Sequence, residues 1–149
     1  MSSYRLIALI HILSATIWVG GHMILSLIFL PKALKEKDPG IIRGFEARFE
    51  PLALPSLLVQ IVTGLWLGIY YDSDPFGWFS FRGELAVFLA LKVILVGLTL
   101  LLAVHARFRL IPRLRPDNMW PVAAHIIAVT LIGIMLLVLG VGIRTGAGF

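Results

Sequence analysis

The chain has 149 residues, 59% of them hydrophobic and 14% charged, with a mean hydropathy of +0.96, which excludes an ordinary soluble globular domain. A formal charge of +5 and a pI near 10.1 would point to nucleic acid in a soluble protein, but here the lysines and arginines gather in connections between apolar stretches, so membrane topology accounts for them and no nucleic acid partner is expected. With no cysteine, disulfides, thiolate metal sites and thiol nucleophiles are excluded together.

Four apolar segments are long enough to cross a hydrocarbon core of about 30 Å, which takes about 20 residues. The first covers about 6–30 and ends at Pro31-Lys32; the run from Met1 through Arg5 into it has no small-residue cleavage site and reads as a retained span. A short amphipathic helix around Ile41 to Glu50 is expected to lie at the interface. The second span covers about 51–71 and is broken by Asp72-Ser73-Asp74-Pro75. The third, about 84–105, follows Arg82-Gly83 and precedes Arg107, Arg109, Arg113 and Arg115. The fourth, about 121–143, opens at Trp120-Pro121, where a first-turn proline is tolerated. A tail from Thr145 to Phe149 is too short to fold. The expected architecture is all-α: an integral membrane four-helix bundle forming a single domain over 1–149. Trp78 and Trp120 are read as members of an interfacial aromatic belt, with Trp18 and Trp66 as core filler.

Loop charge sets the expected orientation. Lys32, Lys35, Lys37, Arg43 and Arg48 lie in or near the first connection, and the four arginines after span three lie in the third; only Arg5, Arg82 and Arg144 lie on the other side. The two basic loops should then face the cytoplasm of a bacterial-type inner membrane, with both termini outside.

All four histidines, His11, His22, His105 and His125, fall within or at the ends of these spans. An imidazole in lipid is costly unless it is paired, hydrated or ligating, so each is a candidate functional group. His11 and His22 are eleven residues apart, close to three turns, and share a helical face with about 16 Å between them. Lys92 lies at the depth of His11, too deep to escape fully to the interface, and reads as lining a cavity or as a counter-charge for an anionic group. His22, His105 and His125 form a second layer nearer the basic loops. Plainer roles are also open: His22 hydrogen-bonding a carbonyl behind Gly20-Gly21, His105 standing at the interface, His11 and Lys92 as a hydrated polar pair; His125, one turn into the fourth span, is deep enough to favour ligation. Gln60, Gly64 and Gly68, with Thr63 beside them, read as a close-packing stripe that could equally serve a homodimer.

Two stretches carry a resemblance. Leu91-Lys92-Val93-Ile94-Leu95-Val96, followed by Ala106-Arg107-Phe108-Arg109-Leu110-Ile111-Pro112-Arg113-Leu114, resembles the signature of CopD-like proteins (copper resistance protein D domain). Helix one, with His11, Trp18, Gly20, Gly21 and Leu30-Pro31-Lys32, is similar to both CopD and the HemJ-like protoporphyrinogen oxidases, and Glu46-Ala47-Arg48-Phe49, Pro55 and Thr63-Gly64-Leu65-Trp66-Leu67 resemble the HemJ second helix and its approach. The HemJ-type Asn-Glu-x-Pro before the last helix is here Asn118-Met119-Trp120-Pro121, without the acid. The resemblance implies a four-helix membrane protein concerned with copper or with porphyrin; from the HemJ pattern only His11 and Lys92 carry over. Scattered Met23, Met119 and Met135 offer no methionine-rich tract for Cu(I).

Three functions compete. The first is a b-type cytochrome, a membrane oxidoreductase holding haem b through inward imidazoles and exchanging electrons with a quinone, an oxygen species or a redox protein, with His22 paired to His125 or His105. The second is copper transport or resistance through His11, His22 and His125. The third is a structural subunit whose histidines are hydrogen-bonding glue.

Overall fold

The computed structural model describes residues 3–146, all helix and connection with no strand among them; residues 1, 2 and 147–149, including most of the expected tail, lie outside the described residues. Ser3–Ile24 (α1) continues through a π-helical turn, Leu25–Phe29, into Leu30–Glu36 (α2). After a left-handed turn at Lys37, Pro39–Tyr71 (α3) returns. A 3₁₀ turn at Gly77–Ser80 leads to Glu84–His105 (α4), extended by a second π-helical stretch, Ala106–Leu110, and Met119–Thr145 (α5) closes the fold. All four rods, Ser3–Glu36, Pro39–Tyr71, Glu84–Leu110 and Met119–Thr145, are long and apolar enough to cross a membrane. Helices are the expected solution in hydrocarbon, where every backbone donor must find its partner within its own segment.

The first two rods are longer than the sequence pattern suggests. At about 1.5 Å per residue, the 34 and 33 residues of Ser3–Glu36 and Pro39–Tyr71 run to about 50 Å, well past a core of about 30 Å. The amphipathic stretch from Ile41 to Glu50 is therefore not a separate surface helix. It is the beginning of α3, which passes through Pro51 and Pro55 unbroken. Asp38 starts that helix by accepting the Gly40 N–H at 2.8 Å, with Pro39 in the first turn.

The helices are arranged as an arc. α1 packs along α3 on one side and against α5 on the other, and α5 packs on α4; α3 and α4 make almost no direct backbone contact. Two bridges span the α3–α4 gap. At the end that holds the beginning of α1 and the end of α5, here the terminal end, Trp78 from the 3₁₀ turn lies on Gly68 of α3 and packs with Leu89 and Ala90 of α4. At the opposite, basic end, Arg107 pairs with Glu50 at 2.6 Å.

Trp78 corrects the aromatic-belt expectation. It is only 3% exposed, because the 3₁₀ turn tucks the indole inward and its N–H donates to the Asp72 carbonyl at 3.2 Å. Trp66, expected in the core, is 38% exposed, while Trp120 at 76% and Trp18 at 3% take the places assigned to them. The main core cluster lies at the basic end, where Leu25, Leu30, Ala33, Ile42, Leu114, Met119 and their neighbours interlock. There Arg43 donates to the Leu114 carbonyl across the bundle.

Candidate functional site

The concave side of the arc encloses a cavity of about 700 Å³ lined by all four rods. His11 of α1 and Lys92 of α4 both line it, so the structure brings together the two residues expected at one depth. Gly64 makes room for the histidine: a methyl at Gly64 would stand 3.0 Å from the His11 ring. Gly68 does the same for Trp78. The Gly64/Gly68 pair thus faces inward and accommodates side chains rather than a neighbouring helix backbone.

The protonation of His11 follows from its partner. The Thr63 hydroxyl has one proton and directs it to the Val59 carbonyl at 2.6 Å, with the Gln60 carbonyl more distant at 3.3 Å. Thr63 Oγ1 can then only accept from His11 Nδ1, at 2.9 Å. The neutral ring carries its proton on Nδ1 and presents an unprotonated Nε2. His22 reaches the same state by another route, since its Nδ1 lies 2.9 Å from the Trp18 carbonyl, which has no proton to give. These are outer-shell contacts of the kind that fix a ligand's tautomer and orientation.

His22 belongs to a different environment. Its ring packs on Trp18 with centroids 4.5 Å apart and meets Phe49 edge-on at 6.0 Å. Phe49 approaches because Gly21 has no side chain; a methyl there would be 1.9 Å from the phenyl ring. Gly20, by contrast, faces open space. The Thr130 hydroxyl donates to the Ile126 carbonyl at 2.8 Å and lies 3.2 Å from the His22 carbonyl, so α5 meets α1 at this level. Five residues before Thr130 stands His125, whose Nε2 is buried without a hydrogen-bond partner. His105, exposed on α4, has its ring 5.7 Å from that of His125.

Among the described residues no three His, Asp or Glu side chains converge as a group able to hold a metal ion. Nor do His22, His105 and His125 line the cavity. Trp18 and Phe49 pack against the His22 ring. These three imidazoles therefore lie outside the cavity, His22 packed among aromatic rings and His105 exposed beside His125.

Two further polar groups belong to the cavity wall. Gln60 Oε1 and Thr99 Oγ1 are buried without partners, and both residues line the cavity. Thr99 is two turns beyond Lys92 on α4, the spacing that could have flagged it. Gly140 of α5 lies beside the lysine, its would-be methyl 3.2 Å from Nζ. Arg144 completes the lining at the terminal end, where Tyr4 and Tyr71 share a 2.6 Å hydroxyl contact.

Residues 43–144, more than half of the chain, match the family Copper resistance protein D. The chain belongs to that family. The matched region holds α4, α5 and nearly all of α3, so Lys92, His105 and His125 fall inside it, while His11 and His22 on α1 lie outside. No curated protein and no solved structure matches the chain. The family and the four membrane-length helices make this a multi-pass protein of the lipid bilayer.

Proposed function

We propose that this protein carries copper through the membrane, taking the ion as cargo on a succession of imidazoles. The family is named for copper resistance, and one observation carries the reading on this chain's own residues. His11 and His22 each have Nδ1 committed to a hydrogen bond, leaving Nε2 bare. A neutral imidazole nitrogen is the ligand copper accepts when thiolates are absent, and the Irving–Williams order favours Cu(II) over the other divalent ions at such nitrogens. The unpartnered Nε2 of His125 offers a third stop, with His105 beside it.

The lack of a convergent three-ligand group among the described residues suits a carrier. Conduction needs sites that bind strongly enough for entry and weakly enough for release. In this proposal the two basic connections face the cytoplasm, where their lysines and arginines hold the bundle in place. His11 then lies toward the outer surface, His22 and His125 toward the inner one. Haem b takes second place to copper, for which the family is named. At the terminal end His11 would be its only histidine ligand.

The test is copper flux into liposomes containing the purified protein. His22→Ala is expected to lower the flux by about 10- to 100-fold, the usual cost of losing a metal contact or its support, with membrane insertion and helix content unchanged. Undiminished copper flux in that variant, or no copper flux above protein-free liposomes in the wild type, rejects the proposal.

A further inference from the structure

The cavity at the terminal end has a charge pattern that copper transport does not explain. Lys92 and Arg144 both line it, and no aspartate or glutamate does. Among the described residues Lys92 has neither an ion-pair nor a hydrogen-bond partner; the only ion pairs are Arg107–Glu50 and Arg115–Asp117. An ammonium at membrane depth is costly alone and is relieved by an anion. Gln60 Oε1 and Thr99 Oγ1, the latter on a side chain 1% exposed, are likewise buried and unpartnered at the cavity wall. Most of the remaining lining is apolar. A small hydrated anion would leave that apolar wall unused.

The arc also provides a way in from the side. α3 and α4 stand apart between the Trp78–Gly68 bridge and the Arg107–Glu50 pair. From Glu50 to Gly68 the opening follows about 27 Å of helix at 1.5 Å per residue, close to the thickness of the hydrocarbon core. Gly97 on α4 lines the cavity with nothing near its would-be methyl. The end toward the chain termini is covered by Trp78 and by the Tyr4–Tyr71 contact.

We propose that this cavity binds a bilayer-resident lipophile bearing one carboxylate, which enters between α3 and α4 and places its carboxylate on Lys92. Its apolar body fills the wall between Trp18 and Trp78. The binding stands apart from the copper reading.

Dibromostearic acid tests this directly, because its bromines quench tryptophan and both Trp18 and Trp78 line the cavity. The detergent-purified full chain is titrated with the acid and with the corresponding dibromostearyl alcohol. The acid is expected to bind about tenfold or more tightly than the alcohol, the factor that a hydrogen bond to a charged group supplies. Lys92→Met should erase that preference and Lys92→Arg should keep it. Gly97→Phe, which fills the cavity without touching the charge, should weaken acid and alcohol alike. The comparison within the wild type decides the matter even where a variant fails to fold. Equal quenching by acid and alcohol, a preference that survives Lys92→Met, or a His11-dependent Soret band in the purified protein would each overturn the proposal. None of these outcomes bears on copper flux, so the two readings stand or fall separately.

Discussion

The two ends of the bundle place histidine in opposite settings. At the terminal end His11 opens onto a cavity of about 700 Å³ shared with Lys92, and its orientation depends on a side chain of another helix, Thr63. At the basic end His22 is held by the carbonyl of its own helix and wedged between Trp18 and Phe49. Both rings arrive at the same chemical state, protonated on Nδ1 and bare on Nε2, by unrelated means. Common chemistry in unlike packing points to the nitrogen, not the surroundings, as the feature that matters. The surroundings then differ: His11 lines the cavity shared with Lys92, while His22 sits among aromatic rings outside it.

The two π-helical turns fall on the basic side of this division. Leu25–Phe29 begins three residues after His22 and Ala106–Leu110 directly follows His105, and each stretch ends shortly before a proline, Pro31 or Pro112. Proline offers no backbone N–H to the preceding turn, and a widened turn is one way a helix absorbs that loss.

The largest expected effect on stability comes from exchanging the packing of the two ends. Gly21→Ala drives a methyl into the Phe49 ring at 1.9 Å. Because that ring also packs on Phe45 at 5.2 Å, it cannot swing aside freely, and a loss of about 1–3 kcal/mol is expected from overpacking. Gly97→Ala, where nothing lies within 4 Å, should instead be neutral or stabilising by up to about 1 kcal/mol, the helix-propensity gain over glycine. Thermal unfolding of the two variants in one detergent checks the contrast; equal shifts in Tm would erase the division between a packed and an open end.

A second prediction concerns the tautomer of His11. Thr63→Val keeps the shape but removes the acceptor of the Nδ1 proton, freeing the ring to turn or change tautomer. Copper flux is expected to fall by about tenfold, the lower range for an outer-shell loss, and Thr63→Ser should restore most of it. The corresponding loss cannot be engineered at His22, whose acceptor is a backbone carbonyl. A Thr63→Val protein with unaltered flux would place His11 outside the copper path and leave it to the cavity.

How much of this was legible beforehand divides along the same line. The four membrane-length helices follow from apolar runs bounded by Pro31, Asp72 and the arginines after His105, because lipid leaves the backbone few options. The meeting of His11 and Lys92 was legible too, since depth along a helix is simple arithmetic. What stayed hidden needed rotation about the helix axes and the course of the connections. Trp78 looked interfacial because it sits in a loop between spans, yet a 3₁₀ turn carries it onto Gly68. Ile41 to Glu50 reads as a separate interfacial helix because it is amphipathic, yet it continues through Pro51 and Pro55 as one α3. The glycines read as seats for a neighbouring helix are seats for single rings, a distinction that periodicity cannot make.

The smallest effect is expected where the basic end closes the α3–α4 gap. Arg107 is 61% exposed in its pair with Glu50, and such a pair is worth about 0–1 kcal/mol once solvent screening and side-chain entropy are counted. Arg107→Ala should therefore leave Tm nearly unchanged. Its value lies in geometry: the pair is the bridge opposite Trp78, and removing it lets α3 and α4 separate further without disturbing the core around Ile42 and Leu114. Dibromostearic acid should then associate faster with little change in its affinity, as expected for a change in access alone. A large drop in Tm would mean instead that the salt bridge holds the arc together and that the gap is not a stable opening of the fold.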